Sequence, residues 1–117
     1  MNRRTRGQLG ENLAVEYLQK KGYLILERNF RFERGEIDII AEINGVLVFV
    51  EVKSRSSKIF GEPEEAVTPS KQRQIRNVAE GYLFKNNIDD RECRFDVIAV
   101  EYKGTTTTIR HLQDAFE

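Results

Sequence analysis

The chain has one cysteine, Cys93, and one histidine, His111, among 117 residues. A single thiol cannot build a disulfide framework or a cysteine-rich zinc site within the chain. A single imidazole, in a polar stretch near the C-terminus with no nucleophile elbow beside it, gives no support to Ser-His-Asp or Cys-His machinery. Histidine-rich metal sites are excluded. Proline is also scarce, at 2 residues, with 8 glycines and no low-complexity tract, and hydrophobic residues make up 39%. A wholly disordered chain is therefore not expected. The longest apolar runs, such as Val46 to Val50, are too short to cross a bilayer, and Met1 to Arg6 is basic without the apolar segment of a signal peptide. The expectation is one soluble, cytoplasmic domain spanning residues 1–117. Any catalysis in it would rest on carboxylates, lysines and a hard metal ion.

Formal charge sums to zero, with 19 basic and 19 acidic side chains, but the two signs are unevenly placed. Residues 1–34 carry 8 basic and 4 acidic groups, whereas residues 35–52 carry Glu36, Asp38, Glu42 and Glu51 and no base. Residues 53–76 are again basic, with 6 against 3, and residues 77–117 are acidic, with 5 against 8. Ordinary surface charge is one reading of this pattern. The other is an acidic, metal-binding centre flanked by groups that hold phosphates.

Apolar periodicity supplies the elements. Leu9, Leu13, Ala14, Tyr17 and Leu18 recur at helical spacing from about Arg6 to Lys21, and Gly22 stops the helix. Tyr23 to Phe32 is β-rich, including alternating Arg28, Phe30 and Phe32, and Arg34-Gly35 reads as a turn. Ile37 to Ile43 and Val46 to Lys53 are strands joined by Asn44-Gly45, a strong hairpin signal. Ser54 to Thr68 reads as a loop. Pro69 opens a second helix running to about Asn86, with Ile75, Val78, Ala79, Tyr82 and Leu83 buried. Arg94 to Tyr102 is a strand broken by Gly104. Thr105 to Leu112 adds a possible edge strand, and the last residues are expected to fray. The order is αβββαβ(β). The second helix implies a right-handed crossover between parallel strands, in an α/β fold with a mixed sheet of four to five strands flanked by helices.

A two-residue turn at Asn44-Gly45 sets the hairpin register. Ile43 faces Val46, Ala41 faces Val48, Ile39 faces Val50 and Ile37 faces Val52, making one apolar surface. On the other surface Ile40 faces Phe49, Asp38 faces Glu51 and Glu36 faces Lys53. Like charges opposed across strands are destabilising by roughly 0.2–1 kcal/mol where exposed. A divalent cation would remove that repulsion between Asp38 and Glu51, and carboxylate oxygens suit Mg²⁺ or Mn²⁺. The other reading is two solvated acids near a hairpin end. Lys53, on the same surface as Glu51, would orient the attacking water and stabilise charge on a phosphate, or simply pair with Glu36.

Asp38 followed by Glu51-Val52-Lys53 after a hairpin resembles the PD-(D/E)xK signature of restriction-endonuclease-like nucleases, with Ile37 in place of the proline. The strings Gly7-Gln8-Leu9-Gly10-Glu11, Gly35 to Ile40, Phe49 to Arg55 and Arg94 to Ile98 are similar to the bacterial YraN family. That family is small, predicted to be nuclease-like, and resembles the archaeal Holliday junction resolvases. The resemblance covers about Gly7 to Val100. It implies a restriction-endonuclease-like core and a Mg²⁺- or Mn²⁺-dependent endonuclease acting on branched DNA. Glu11 and the Val52 carbonyl would join Asp38 and Glu51 at the metal. Two symmetric cuts across a junction would call for a homodimer.

Further residues follow from position. Lys71 and Gln72 open the second helix, where they would hold a phosphate or lie solvated. Arg3, Arg4, Arg6, Arg55 and Lys58 would track a nucleic-acid backbone. Asp96, on an apolar strand beside Arg94, is expected to be structural. The alternative to the nuclease is a non-catalytic nucleic-acid- or protein-binding module that kept the fold, and residues alone leave DNA against RNA open.

Overall fold

The computed structural model describes residues 3–56 and 67–117, apart from the side chains of Arg3, Arg4, Arg6 and Ser56. Its elements are α1 (Arg3–Lys20), β1 (Leu24–Phe32), β2 (Gly35–Ile43), β3 (Val46–Ser56), α2 (Pro69–Lys85), β4 (Cys93–Lys103) and β5 (Thr106–Phe116). The five strands form one mixed sheet in the order β1-β2-β3-β4-β5. Only β3 and β4 are parallel, joined through α2, as a helical crossover requires.

The sheet buries both faces. Along β3, Leu47 and Phe49 pack with Ile75, Val78, Ala79 and Tyr82 of α2. The intervening Val48 and Val50 pack with Ala14 and Leu18 of α1. The helices therefore lie on opposite faces, and period-2 alternation alone sends neighbouring side chains to different cores. Helix α1 presents Gly10, Ala14 and Leu18 as its fully buried line at four-residue spacing. Helix α2 is capped by Thr68, whose hydroxyl accepts from the Lys71 N–H, with Pro69 at its first position. Among the described residues no helix is long and apolar enough to cross a membrane.

Two turns match their residues to left-handed backbone. Asn44 (φ 49°) and Gly45 (φ 81°) close the β2–β3 hairpin, with Ile43 opposite Val46 as the dipeptide predicts. Gly81 serves another purpose, because a Cβ there would sit 2.4–2.6 Å from the Phe32 ring. A helix-interior glycine is costly, so this one reflects the close approach of α2 to β1. Gly81→Ala is expected to destabilise the protein by about 1–3 kcal/mol through overpacking, read as a lower urea midpoint at unchanged slope.

Three expectations are corrected. The C-terminal residues do not fray, since β5 continues to Phe116. There Phe116 stacks on Phe95 (5.1 Å between centroids), the Asp114 N–H donates to Asp96, and Arg76 donates to the Glu117 carbonyl. Residues 54–56 are strand rather than loop, held by parallel pairing to Val100–Tyr102. Ile37 does not share a surface with Ile39, because it packs in the α2 core with Ile40 while Ile39 packs in the α1 core. The neighbouring strand turns over with it: Arg28, opposite Ile39, bonds to α1, while Phe30, opposite Ile37, meets Tyr82 edge-on. Between them stands Asn29 at φ 52°, a left-handed residue that asparagine tolerates.

Candidate active site

The β2–β3 ladder runs from Ile43↔Val46 to Ile39↔Val50 and stops there. Beyond that pair β2 stays with β1, as far as Phe32↔Gly35, and β3 stays with β4, as far as Ser56↔Tyr102. The sheet therefore forks. The expected facing pairs Ile37/Val52, Asp38/Glu51 and Glu36/Lys53 are not among the ladder partners, and Asp38 fills the crotch of the fork. Its Oδ2 accepts the Val52 N–H at 2.8 Å, replacing a missing ladder bond with a side chain. Strand N–H groups lie near the sheet plane, so this carboxylate lies near that plane too. An extended residue directs its N–H and C=O to the same edge, so the Val52 carbonyl also projects into the fork.

Glu51 stands on the opposite prong, only 6% exposed. Its charge acts on the Asp38 carboxyl across the fork. Burial pushes the Asp38 pKa up to about 8, reinforced by the charge and hydrogen bond of Glu51 and by the charge of Glu11, with the Val52 N–H opposing. A half-buried aspartate that resists ionisation beside a buried glutamate forms a site short of positive charge. That donor chemistry, two carboxylates and a carbonyl, fits a hard divalent cation. Among the described residues no group of three or more His, Cys, Asp or Glu side chains is gathered to hold a metal.

Glu11 explains part of that. It reaches over the fork from α1, but Arg28 donates to its Oε1 at 3.0 Å and Asn29 to its Oε2 at 2.9 Å. Its field reaches Asp38 while both its oxygens are occupied. The tethers come from the left-handed turnover in β1, and asparagine inside a β-rich run is the sequence signal that marks it.

Lys53 lies 3.6 Å from Glu51 Oε2, so its partner is Glu51 rather than the expected Glu36, which instead sits 3.9 Å from Arg31 across β1. The fork separates Glu36 from Lys53 and leaves Glu36 on the paired side. Lys71 of α2 also lies 3.6 Å from Glu51 Oε2, with its ammonium donating to Gln74 Oε1 at 3.2 Å. The structure thus brings Asp38, Glu51, Val52, Lys53 and Lys71 together, with Glu11 at the rim.

Other expected phosphate-holding groups are placed elsewhere. Gln72 spends its amide on the Val67 carbonyl at 3.0 Å. Arg55 is 7% exposed, its Nε 3.6 Å from Glu101 and without a hydrogen-bond partner, which corrects its reading as an exposed backbone-tracking residue. The parallel pairing of Arg55 with Glu101 buries it. Lys58 and the side chain of Arg6 lie outside the described residues.

A second polar centre lies apart from the fork. Asp96, fully buried, accepts two bonds from Arg94 (2.9 and 3.0 Å), one from the Asp114 N–H (2.9 Å) and one from His111 Nε2 (2.7 Å). Burial alone would raise its pKa, but the bonds from His111, Arg94 and Asp114 outweigh that and hold it below the usual carboxylate range. A carboxylate only accepts, so Nε2 carries the hydrogen, and Nδ1 takes the Tyr17 hydroxyl at 3.1 Å. Arg94 also reaches the Tyr23 hydroxyl at 2.8 Å. The structural role read for Asp96 stands. What the sequence did not show is that His111 belongs to the same network.

Comparison with known proteins follows this geometry. The family model described as "Uncharacterised protein family UPF0102" matches residues 10–100. A UPF0102 protein of Alkaliphilus oremlandii is 53% identical over 112 residues, covering 94% of this chain and 96% of its own. A UPF0102 protein of Geobacter metallireducens is 47% identical over 117 residues, covering 100% of this chain and 96% of its own. UPF0102 protein FP2501 of Flavobacterium psychrophilum is 48% identical over 110 residues, covering 94% and 92%. The chain belongs to the uncharacterised protein family UPF0102, the family to which its YraN resemblance points.

Proposed function

We propose that this protein is a divalent-metal-dependent endonuclease with a restriction-endonuclease-like core, acting on branched or otherwise structured DNA. The observation that carries the reading is the fork. A half-buried aspartate whose pKa is raised to about 8 lies beside a buried glutamate at a break in the sheet, with two lysines within 3.6 Å of a glutamate oxygen. A fold selected for stability alone would not retain that arrangement, because burial and the charge of Glu51 raise the cost of ionising Asp38. Asp38, Glu51 and the Val52 carbonyl would hold Mg²⁺ or Mn²⁺. When bound, the cation supplies Lewis-acid stabilisation of a phosphate and lowers the pKa of water.

The chain's own groups perform the remaining work. The Val52 N–H fixes Asp38 in the sheet plane. Lys53 orients the attacking water and offsets charge building on the non-bridging oxygens. The new P–O bond forms in line as the bond to the leaving oxygen breaks, with the proton of the water passing to solvent or a neighbouring base. Neither His111 nor Cys93 is needed. Branched DNA follows from the resolvase resemblance, and paired cuts across a junction would use two copies of the chain.

Cleavage of an end-labelled four-way junction, a flap and a plain duplex tests the reading. With Mn²⁺ or Mg²⁺ the wild type is expected to cut the branched substrates. Asp38→Ala and Glu51→Ala are expected to be inactive, and Lys53→Met slower by about 10²–10⁴-fold. A wild type that cuts nothing, and binds DNA equally well with EDTA, would be a binding module.

A further inference from the structure

The Oε2 atom of Glu51 is approached by two ammonium groups from different elements, Lys53 of β3 and Lys71 of α2, each at 3.6 Å. Close charge-assisted bonds are about 2.7–2.9 Å, so neither lysine is fully partnered there. The nearer acceptor of Lys71 is the neutral Gln74 amide. Both lysine side chains are about a third exposed, at 34% and 33%, while that of Glu51 is 7% exposed. Two partly exposed cations therefore share one buried anion.

A divalent cation held by Glu51 would meet these two charges at close range. Like charges this near repel strongly in a partly desolvated cleft, so the lysines must move outward as the cation enters. Both lysine side chains are partly exposed, so outward from Glu51 is toward solvent, from which a phosphate would approach. We infer that Lys71 is a phosphate-binding residue that exchanges Glu51 for the nucleic-acid backbone when the metal binds. Metal and DNA binding then assist one another through this lysine. The inference rests on the nuclease reading and extends it from the β3 lysine to α2, which supplies the second cation. Each ligand relieves a cost imposed on the other, and such linkage is reciprocal.

Mn²⁺ binding, followed by the EPR signal of the free ion, is measured with and without a phosphorothioate-substituted four-way junction. The wild type is expected to bind Mn²⁺ about tenfold more tightly with the junction present. Lys71→Gln is expected to bind Mn²⁺ more tightly than wild type without DNA, to bind the junction more weakly, and to lose most of the tenfold linkage. Lys71→Arg, which keeps the charge, is expected to retain it. Unchanged Mn²⁺ affinity and unchanged linkage in Lys71→Gln overturn the Lys71 inference and leave the nuclease reading standing. A wild type that binds no Mn²⁺ under either condition overturns both.

Discussion

Asp38→Asn is expected to make the metal-free protein more stable at pH 8, by about 1–4 kcal/mol, while removing metal-dependent cleavage. The cause is the raised pKa of Asp38 at the fork. An Asp carboxyl in the unfolded chain titrates near 3.9, whereas burial and Glu51 push Asp38 up to about 8 in the fold. Between those values the folded state holds a proton that the unfolded state has released. Stability from this group is complete below the unfolded value and is lost as pH rises through the folded one. The slope between those values is about 1.4 kcal/mol per pH unit. Asparagine cannot ionise, its oxygen can still accept the Val52 N–H, and its amide can donate to Glu51. Urea unfolding at pH 5, 6.5 and 8 reads the effect directly. The wild type should lose stability across that series, and the variant should lose less. Parallel curves for the two proteins would show that Asp38 does not carry the proton.

Asp96 is expected to behave in the opposite sense. Asp96→Ala should cost about 3–5 kcal/mol, because it leaves the Arg94 guanidinium, the His111 imidazole and the Asp114 N–H without their buried acceptor. Its pKa lies below the usual range, so its contribution is present above the unfolded value and is lost as pH falls through the folded one. The stability gap between wild type and Asp96→Asn should therefore be widest near neutrality and should narrow in acid, below about pH 4. Chemical denaturation at pH 7 and pH 3 measures it. A gap that is the same at both pH values would mean that the Asp96 charge contributes nothing.

The two aspartates are held in opposite electrostatic settings. Asp96 is fully buried and Asp38 is half-buried, on strands of the same sheet. Asp96 is supplied with a guanidinium, an imidazole and a backbone N–H, and it ionises readily. Asp38 is supplied with one backbone N–H and a second carboxyl, and it resists ionisation. A chain under pressure for stability alone would satisfy both. The unsatisfied one lies where the sheet opens, which is where perturbed carboxyls with a catalytic task are expected.

Much of this was legible in the sequence. Asn44-Gly45 determined the hairpin and its register through Ile39↔Val50, since two left-handed residues in a tight turn leave one pairing. Helical spacing located α1 and α2, Pro69 marked the start of α2, and the intervening helix required β3 and β4 to be parallel. The order of Asp38 and Glu51-Val52-Lys53 marked the candidate site before any coordinates. Local periodicity carries these features because they depend on neighbours within a few residues.

Tertiary structure alone decided how the candidate groups meet. Extrapolating the hairpin register past Val50 opposed Asp38 to Glu51 as a ladder pair, but the left-handed Asn29 on a third strand turns β1 and β2 over, and the sheet forks instead. The fork sends Glu36 to Arg31, leaves Lys53 on Glu51, and admits Lys71 from a helix 20 positions along the chain. It also binds Glu11 to Arg28 and Asn29. The lone histidine, which seemed unemployed, is locked to Asp96 across β4 and β5. Scarcity of cysteine and histidine had already pointed any proposed catalysis to carboxylates and lysines. Which of them meet depends on contacts between distant segments, and no pattern within one strand or helix encodes those.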